Sequence, residues 1–159
     1  MPNWGYSFAE EKYDSERLAK ASGRDLRIKP KHCREICDVI KGMYIDEAKT
    51  FLEKVIRLKQ SVPFRRHKKK VAHKKDLKQF KWYAGRYPRK AAARIYEILT
   101  QVESNAEYKG LDPSYCRLIH AATQRGRVIK RYIERAYGRS TAHFKHLAHV
   151  EIVVYEFPS

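Results

Sequence analysis

The segment formed by residues 117–157 constrains the fold most. It consists of a strongly cationic stretch with an apolar stretch on each side. Residues 118–123 (LIHAAT) and 150–155 (VEIVVY) have the apolar, β-branched composition of strands. Between them, residues 124–139 contain six Lys or Arg and one acid. If the two strands pair, the middle forms a hairpin that projects beyond the core. At roughly 3.3 Å per residue, arms of about ten residues reach roughly 30 Å.

Such a hairpin needs an anionic partner. A two-stranded ribbon is only marginally stable alone in water, and cations on both of its faces repel each other. The chain carries a formal charge of +17, which two segments hold: residues 61–90 have twelve Lys or Arg and one acid, and residues 117–149 have eight and one. This distribution favours nucleic acid or an anionic membrane surface. Nucleic acid is the anion that is long, rigid and dense enough to hold the hairpin.

Other function classes find little support in the sequence. No apolar run approaches 18 residues, so we expect no transmembrane helix. With nucleic acid as the expected anion, no membrane partner is expected. The N-terminus lacks a basic region followed by an apolar one, so no signal peptide is expected. Three cysteines, an odd number, are most simply explained as free thiols in a reducing cytosol.

Apolar periodicity predicts the remaining elements. Residues 1–23 read as an extended N-terminal arm, although 10–21 is also compatible with a short amphipathic helix. Residues 24–29 alternate with period two, which predicts a short strand. Three helices follow, at 31–41, at 45–60 and from Pro88 to about 109, each with apolar residues at helical spacing. Gly42 and Gly110 are suited to end the first and the third of these helices.

The order of the elements predicts an α+β fold over residues 1–159 as a single domain. Three helices would pack on a small three-stranded antiparallel sheet, from which a long β-hairpin protrudes over 124–144.

Residues 61–87, called the basic insertion below, interrupt the helical pattern. A cationic run is followed by Phe80, Trp82, Tyr83 and Tyr87, and no apolar face is large enough for an independent core. Cations interleaved with aromatic rings suit phosphate contacts combined with stacking on exposed bases. A solvated loop is the alternative interpretation.

These two segments supply the predicted nucleic-acid contacts. Cations are expected to neutralise phosphates, the aromatic residues to stack or wedge, and Gly138 to adopt a positive φ at the turn. In the basic insertion the predicted residues are Arg65, Arg66, Lys68, Lys69, Lys70, Lys74, Lys75, Trp82 and Arg86. In the hairpin they are Arg125, Arg127, Lys130, Arg131, Tyr132, Arg135, Tyr137, Gly138 and Arg139.

Metal and catalytic sites are not predicted. His32, Cys33 and Cys37 cluster on the first helix, but zinc needs a fourth ligand and thiols in an apolar stripe are explained by burial. On a strand, His143 and His149 would face away from His146, so polar lining or RNA contact is favoured over a ligand set. No converging acids and no phosphate-binding glycine loop are present, so neither an enzyme nor a cofactor is expected.

Three blocks of sequence, in this order, resemble a known family. The first is KHCREI (31–36) with IKGM (40–43), the second SNAE (104–107) with GLD (110–112), and the third RAYGR (135–139) with HVEIVV (149–154). They are similar to the universal large-subunit ribosomal protein family counted as number twenty-two in bacteria and seventeen in eukaryotes. Within the basic insertion, VPFRR (62–66) and GRYPRK (85–90) resemble the archaeal and eukaryotic branch, and the missing long C-terminal tail favours an archaeal source.

The resemblance implies a structural, non-catalytic protein of the cytoplasmic large ribosomal subunit. It implies an α+β body near the tunnel exit and a hairpin that reaches through ribosomal RNA to line the polypeptide exit tunnel. The implied partners are large-subunit ribosomal RNA across several RNA domains, neighbouring ribosomal proteins at the exit, and the nascent polypeptide at the hairpin tip. A role in subunit assembly is also implied.

Two other interpretations were weighed against this one. A DNA-binding architectural or chromatin protein would share the charge, but an arm of roughly 30 Å is poorly suited to a DNA groove. An RNA-modifying or RNA-cleaving enzyme would need converging acids, which the sequence does not suggest.

Overall fold

The computed structural model describes residues 5–157 of the 159-residue chain. Its α-helices are α1 (Pro30–Ile40), α2 (Ile45–Ile56) and α3 (Arg89–Tyr108), and short 3₁₀ turns cover Glu10–Lys12, Lys75–Phe80 and Pro113–Tyr115. Its strands are β1 (Leu18–Leu26), β2 (Val62–Pro63), β3 (Gly85–Arg86), β4 (Cys116–Ile129), β5 (Tyr132–Glu134), β6 (Ser140–Ala142) and β7 (Lys145–Glu156). Within the described residues, none of the helices has both the length and the apolar character to cross a bilayer.

The main sheet is antiparallel and has the strand order β1-β7-β4. The central strand β7 pairs with β1 in a register that places Ala21 opposite Ile152, and with β4 in a register that places Leu118 opposite Val154. Residues 150–154 of β7 are buried. The strand has a neighbour on each side, helices cover the face formed by Val150, Ile152 and Val154, and the N-terminal segment contacts Glu151 on the opposite face through Ser7. The predicted α+β class is therefore confirmed.

The helices bury the stripes that their periodicity predicted. Along α1, the side chains of Cys33, Ile36, Cys37 and Ile40 are fully buried, and α1 packs chiefly on β4. Along α3, the buried side chains are Ala91, Ala92, Ile95, Ile98, Leu99, Val102 and Ala106, and α3 packs on β1 and α2. Burial of a Val, Leu or Ile side chain contributes about 1.5–3 kcal/mol, so these stripes hold the body together.

Helix α2 is shorter than predicted. It ends at Ile56 instead of residue 60, and Leu58 adopts a left-handed conformation with φ of 61°. A residue with positive φ cannot continue a right-handed helix, which explains the early end. Gly42, with φ of 91°, separates α1 from α2, and its amide donates to the carbonyl of Leu118 at 2.7 Å.

The predictions for the N-terminal segment were partly wrong. Residues 18–23 do not belong to an extended arm but form most of β1, and the strand ends at Leu26 instead of residue 29. No helix covers 10–21 beyond the short turn Glu10–Lys12. The alternation of apolar and polar residues did not indicate a strand at residues 18–23, because Leu18, Ala19 and Ala21 become buried only when the strand pairs with β7. The part of the predicted arm formed by residues 1–4 lies outside the described residues.

The basic insertion, which was expected to lack an independent core, packs on the core of the body. Strand β2 pairs with β3, and Val62 and Phe64 join the main hydrophobic core. Leu77 and Ala84 are also fully buried. These apolar residues are too widely spaced in the sequence to form a periodic stripe, so only the tertiary structure brings them together.

Candidate nucleic-acid interface

The hairpin continues the main sheet and then separates from it. Pairing of β4 with β7 continues to Ile129 opposite Lys145, and β5 and β6 pair as Tyr132 with Ala142 through Glu134 with Ser140. Every residue from 130 to 146 is exposed. At the turn, the amide of Arg135 donates to the carbonyl of Arg139 at 2.8 Å. The arm therefore presents its side chains to solvent along both strands.

Two left-handed residues make the turn at the hairpin tip. Gly138 has φ of 63°, as the sequence predicted, and Tyr137 before it has φ of 57°. Glycine adopts this region without a steric cost, whereas a tyrosine does so at a cost of roughly 1–2 kcal/mol. The side chain of Tyr137 is 96% exposed. The tip thus holds a fully accessible aromatic ring.

Asp25 of β1 anchors the base of the hairpin. Its carboxylate accepts from the backbone amide of Arg127 at 3.3 Å, and the guanidinium Nη2 of Arg127 lies 2.9 Å from Oδ2. The backbone hydrogen bond from Arg127, ahead of its charge, lowers the pKa of Asp25 against the opposing effect of desolvation. A Cβ at Gly126 would lie 2.9 Å from Asp25 Oδ1, so a larger residue at this position would displace the Asp25 carboxylate. Arg127, a predicted phosphate ligand, therefore also has a structural partner.

Glu35 of α1 organises the basic insertion. Its carboxylate accepts from the backbone amides of Arg65 at 2.8 Å, Arg66 at 3.2 Å and His67 at 2.9 Å. The side chain is only 1% exposed. Sequence reasoning missed this residue; its one signal was an acid immediately before Ile36, at the edge of the buried stripe of α1. The start of the cationic run is therefore fixed by a buried negative charge.

The predicted aromatic residues fall into two groups. The indole of Trp82 is partly buried, donates through Nε1 to the carbonyl of Phe64 at 3.0 Å and stacks on Tyr83 at 5.0 Å between centroids. The ammonium group of Lys68 lies 5.5 Å from the Trp82 ring centroid. Tyr132, by contrast, is 62% exposed and forms a T-shaped ring pair with Phe144. The tip tyrosines are more accessible to a base than Trp82 is.

A groove of about 1020 Å³ joins the two basic segments. It lies between the start of α1, the basic insertion and the base of the hairpin. Its cationic lining consists of Lys29, Lys31, Arg66, Lys69, Arg86, Arg125 and Lys145. Among the described residues, no acid lines it. We call this space the basic groove.

The basic groove brings together four of the predicted ligands, namely Arg66, Lys69, Arg86 and Arg125. Sequence reasoning missed its contributions from Lys29, Lys31 and Lys145, which are isolated cations beside apolar elements. Other predicted residues do not line it. In the basic insertion these are Arg65, Lys68, Lys70, Lys74, Lys75 and Trp82; in the hairpin they are Arg127, Lys130, Arg131, Tyr132, Arg135, Tyr137, Gly138 and Arg139.

The histidines are arranged differently from the expectation. His143 and His146 both line the basic groove with His32 and His67, because residue 143 lies in an irregular stretch between β6 and β7 and not on a strand. His149 does not line the groove. Its Nδ1 accepts from the amide of Asp25 at 3.0 Å, so it supports the base of the hairpin.

The remaining candidate groups are the cysteines, possible metal ligands and a buried acid of β7. Cys33, Cys37 and Cys116 are buried and unpaired, and burial raises the pKa of the Cys37 thiol to about 11. Among residues 5–157, no three His, Cys, Asp or Glu side chains come together as a metal site. Glu151, buried in β7, accepts from the amide of Ser7 at 3.2 Å and contacts Nε2 of His120 at 2.9 Å. This acid, also missed in the sequence, is used to hold the N-terminal segment against the sheet.

Known proteins are similar in sequence to this chain over nearly its whole length. The family model described as Ribosomal protein L22p/L17e matches residues 21–155. The protein named large ribosomal subunit protein uL22 in Methanopyrus kandleri is 49% identical over 154 residues, which cover 97% of this chain and 96% of that protein. Its namesakes in Archaeoglobus fulgidus and Hyperthermus butylicus are 48% and 45% identical, covering 96% and 98% of this chain and 97% and 99% of theirs. The chain therefore belongs to the ribosomal protein L22p/L17e family, whose members are structural ribosomal proteins and not enzymes.

Proposed function

We propose that this protein is a structural component of the large ribosomal subunit that binds large-subunit ribosomal RNA through two cationic regions. The observation that carries the proposal is the hairpin: residues 130–146 are all exposed and include Lys130, Arg131, Arg135 and Arg139 with a single acid. A ribbon of this kind has no core of its own and is stabilised by a surrounding polyanion. The names of its relatives indicate the large subunit as the assembly.

Cationic and aromatic side chains make different contacts with RNA in this proposal. The hairpin cations contact phosphates, while Tyr132 and Tyr137 stack on or wedge between bases, which suits unpaired RNA segments. The cations of the basic insertion contact a second segment of RNA. Two contacts on different segments brace the RNA, which is the basis for a role in subunit assembly.

The hairpin tip has a further role in this proposal. An arm of roughly 30 Å carries the turn at residues 135–139 away from the helical body. We assign this tip to the wall of the polypeptide exit tunnel, where Tyr137 contacts the nascent chain. The body then lies near the tunnel exit beside neighbouring ribosomal proteins.

Cosedimentation tests the proposal. Tagged protein should remain with large subunits from a related archaeal extract after a high-salt wash and should be absent from the small-subunit fraction.

A photoreactive residue at position 137 should crosslink to nascent chains on translating ribosomes. Position 108 is the matched control, since Tyr108 on the helical body is 94% exposed and Tyr137 is 96% exposed. Loss from the subunit on washing would contradict the assignment to the large subunit, and equal crosslinking at both positions would contradict the tunnel assignment alone.

A further inference from the structure

We propose that the basic groove is a preformed binding site for the phosphate backbone of an RNA strand, separate from the hairpin tip and held in shape by Glu35. This inference rests on the proposed RNA-binding function. It identifies a second site at which an RNA strand binds, and it explains why that site is already formed in the free protein.

The charge and the size of the groove point to a polyanion. Seven Lys or Arg line a space of about 1020 Å³, and no acid among the described residues faces it. A single phosphate ion would occupy a small part of that space, whereas consecutive phosphates of one strand would place several charges along it. The rings of Phe64 and Phe144 provide apolar wall, as sugar and base edges require.

One wall of the groove is fixed by Glu35. Successive backbone amides that point at one spot form a concavity that binds anions. Here the amides of residues 65–67 are occupied by the internal carboxylate of Glu35, at 2.8–3.2 Å. Arg66 and His67, whose backbone is held in this way, both line the groove. These charge-assisted bonds offset the desolvation of Glu35 and orient the cationic run without RNA.

The other wall is anchored to the main sheet. Arg125 lies opposite Ala148 and Lys145 opposite Ile129 in the ladder of β4 and β7. Asp25 holds the backbone of Arg127, two residues from Arg125. The Lys and Arg side chains of both walls lie outside residues 130–144, although His143 and Phe144 at the base of this ribbon also line the groove. We therefore treat the groove and the hairpin tip as separate cationic sites.

Charge-matched double variants test the independence of the groove. The groove pair is Lys31→Gln with Arg86→Gln, and the tip pair is Arg135→Gln with Arg139→Gln. The reference pair is Lys54→Gln with Lys59→Gln, two exposed cations around the end of α2 outside the groove. Each pair removes two charges from the full chain. Affinity for protein-free large-subunit RNA is measured across a series of salt concentrations.

We expect the groove pair to weaken binding several-fold and to reduce the salt slope by about 2, or about 1 for each phosphate that is no longer neutralised. The reference pair should change the slope by much less. Effects of the groove and tip pairs should multiply in the fourfold variant, because independent sites contribute additive free energies. A groove pair that behaves like the reference pair overturns this inference, while RNA binding by the unaltered chain leaves the proposed function standing. Failure of the unaltered chain to bind RNA overturns the proposed function itself.

Glu35→Gln tests the preforming of the groove. This substitution makes the protein more positive, yet it should weaken RNA binding several-fold because the amides of residues 65–67 lose their carboxylate. Asp38→Asn is the matched control: Asp38 lies on the same helix, is exposed and pairs with Arg34, and its replacement changes the charge equally. Binding by Glu35→Gln that equals or exceeds that of Asp38→Asn overturns the role of Glu35. If Glu35→Gln does not fold, the groove pair, which retains Glu35, still decides whether the groove binds RNA.

Discussion

At the scale of single residues, buried acids organise a protein dominated by surface cations. Glu35 and Glu151 are each 1% exposed, and both carboxylates accept hydrogen bonds from segments distant in sequence. Glu35 holds the basic insertion and Glu151 holds Ser7 and His120. A buried ionised group that lost these partners would destabilise the fold strongly. The acids that hold the basic insertion and the N-terminal segment are therefore buried ones.

His32 makes the stability of the free protein depend on pH. Partial burial, followed by the positive charges of Lys29 and Arg86 and by His67, lowers the pKa of His32 below its ordinary 6.5. The unfolded chain therefore takes up a proton at higher pH than the folded protein does. The free energy of unfolding should fall as the pH decreases from about 6.5 through the lowered pKa of the folded state.

Denaturant titrations at about pH 7.5 and about pH 5.5, the range in which histidine titrates, measure this effect. In His32→Asn the difference in unfolding free energy between the two conditions should be smaller than in the unaltered chain. His73→Asn serves as the control, because His73 is exposed in the basic insertion and does not line the groove. An unchanged pH difference in His32→Asn would show that His32 is not responsible.

At the scale of elements, the hairpin is the least self-sufficient part of the chain. The ladder between β4 and β7 is supported by the core as far as Leu147 and Ala148 of β7, and the ribbon beyond it, residues 130–146, carries exposed side chains on both strands. Pairing shifts register between Arg125 and Val128 and is interrupted between Ile129 and Tyr132. Its conformation thus rests on backbone pairing with little side-chain burial.

Replacement of residues 130–144 by a two-residue Asn-Gly turn tests this separation. The turn would join Ile129 to Lys145, which are paired positions. We expect the free energy of unfolding to change by less than about 0.5 kcal/mol, as for exposed positions elsewhere, and RNA affinity to fall. Chemical denaturation and RNA binding provide the two measurements.

A full-length variant separates the removal of charge from the removal of the ribbon. It keeps the hairpin but carries Gln in place of Lys130, Arg131, Arg135 and Arg139. If the ribbon itself touches RNA, the shortened protein binds RNA more weakly than this variant. Loss of cooperative unfolding in the shortened protein would mean that the hairpin is part of the folding core.

At the scale of the whole molecule, charge and core are segregated. The apolar stripes of the three helices lie in nearly neutral sequence, whereas residues 61–90 and 117–149 together exceed the net charge of +17. The core takes apolar side chains such as Val62, Phe64 and Leu118 from these two regions, while their Lys and Arg side chains stay outside it. Their charged groups are exposed to solvent, where ions or RNA screen the repulsion between the two regions.

This segregation predicts a steep dependence of RNA binding on salt. A protein with about 6–10 phosphate contacts loses about 10³–10⁵ in affinity between about 50 and 200 mM salt. We expect a dependence in this range for large-subunit RNA, measured by titration at several salt concentrations. Duplex DNA of equal length is the control and should bind more weakly. A shallow slope, or equal affinity for the duplex, would favour an architectural DNA-binding protein instead.

Much of the fold was predictable because it depends on neighbours in the chain. The spacing of Ile95, Leu99 and Val102 predicts α3, and the apolar run at 150–155 predicts a strand. Apart from the pairing of the two hairpin strands, contacts between distant segments were not predictable. Residues 18–23 become a strand only against β7, and Val62 and Phe64 become core residues only when the basic insertion folds back.

The sequence by itself determined the α+β class, the three helical stripes and the two cationic segments, because periodicity and charge are local properties of the chain. Only the tertiary structure decided that Arg66, Arg86 and Arg125 line one groove. It alone assigned Glu35 to the amides of residues 65–67 and Asp25 to the base of the hairpin. These pairings are set by the strand register and by the packing of α1, which join residues that no local pattern connects.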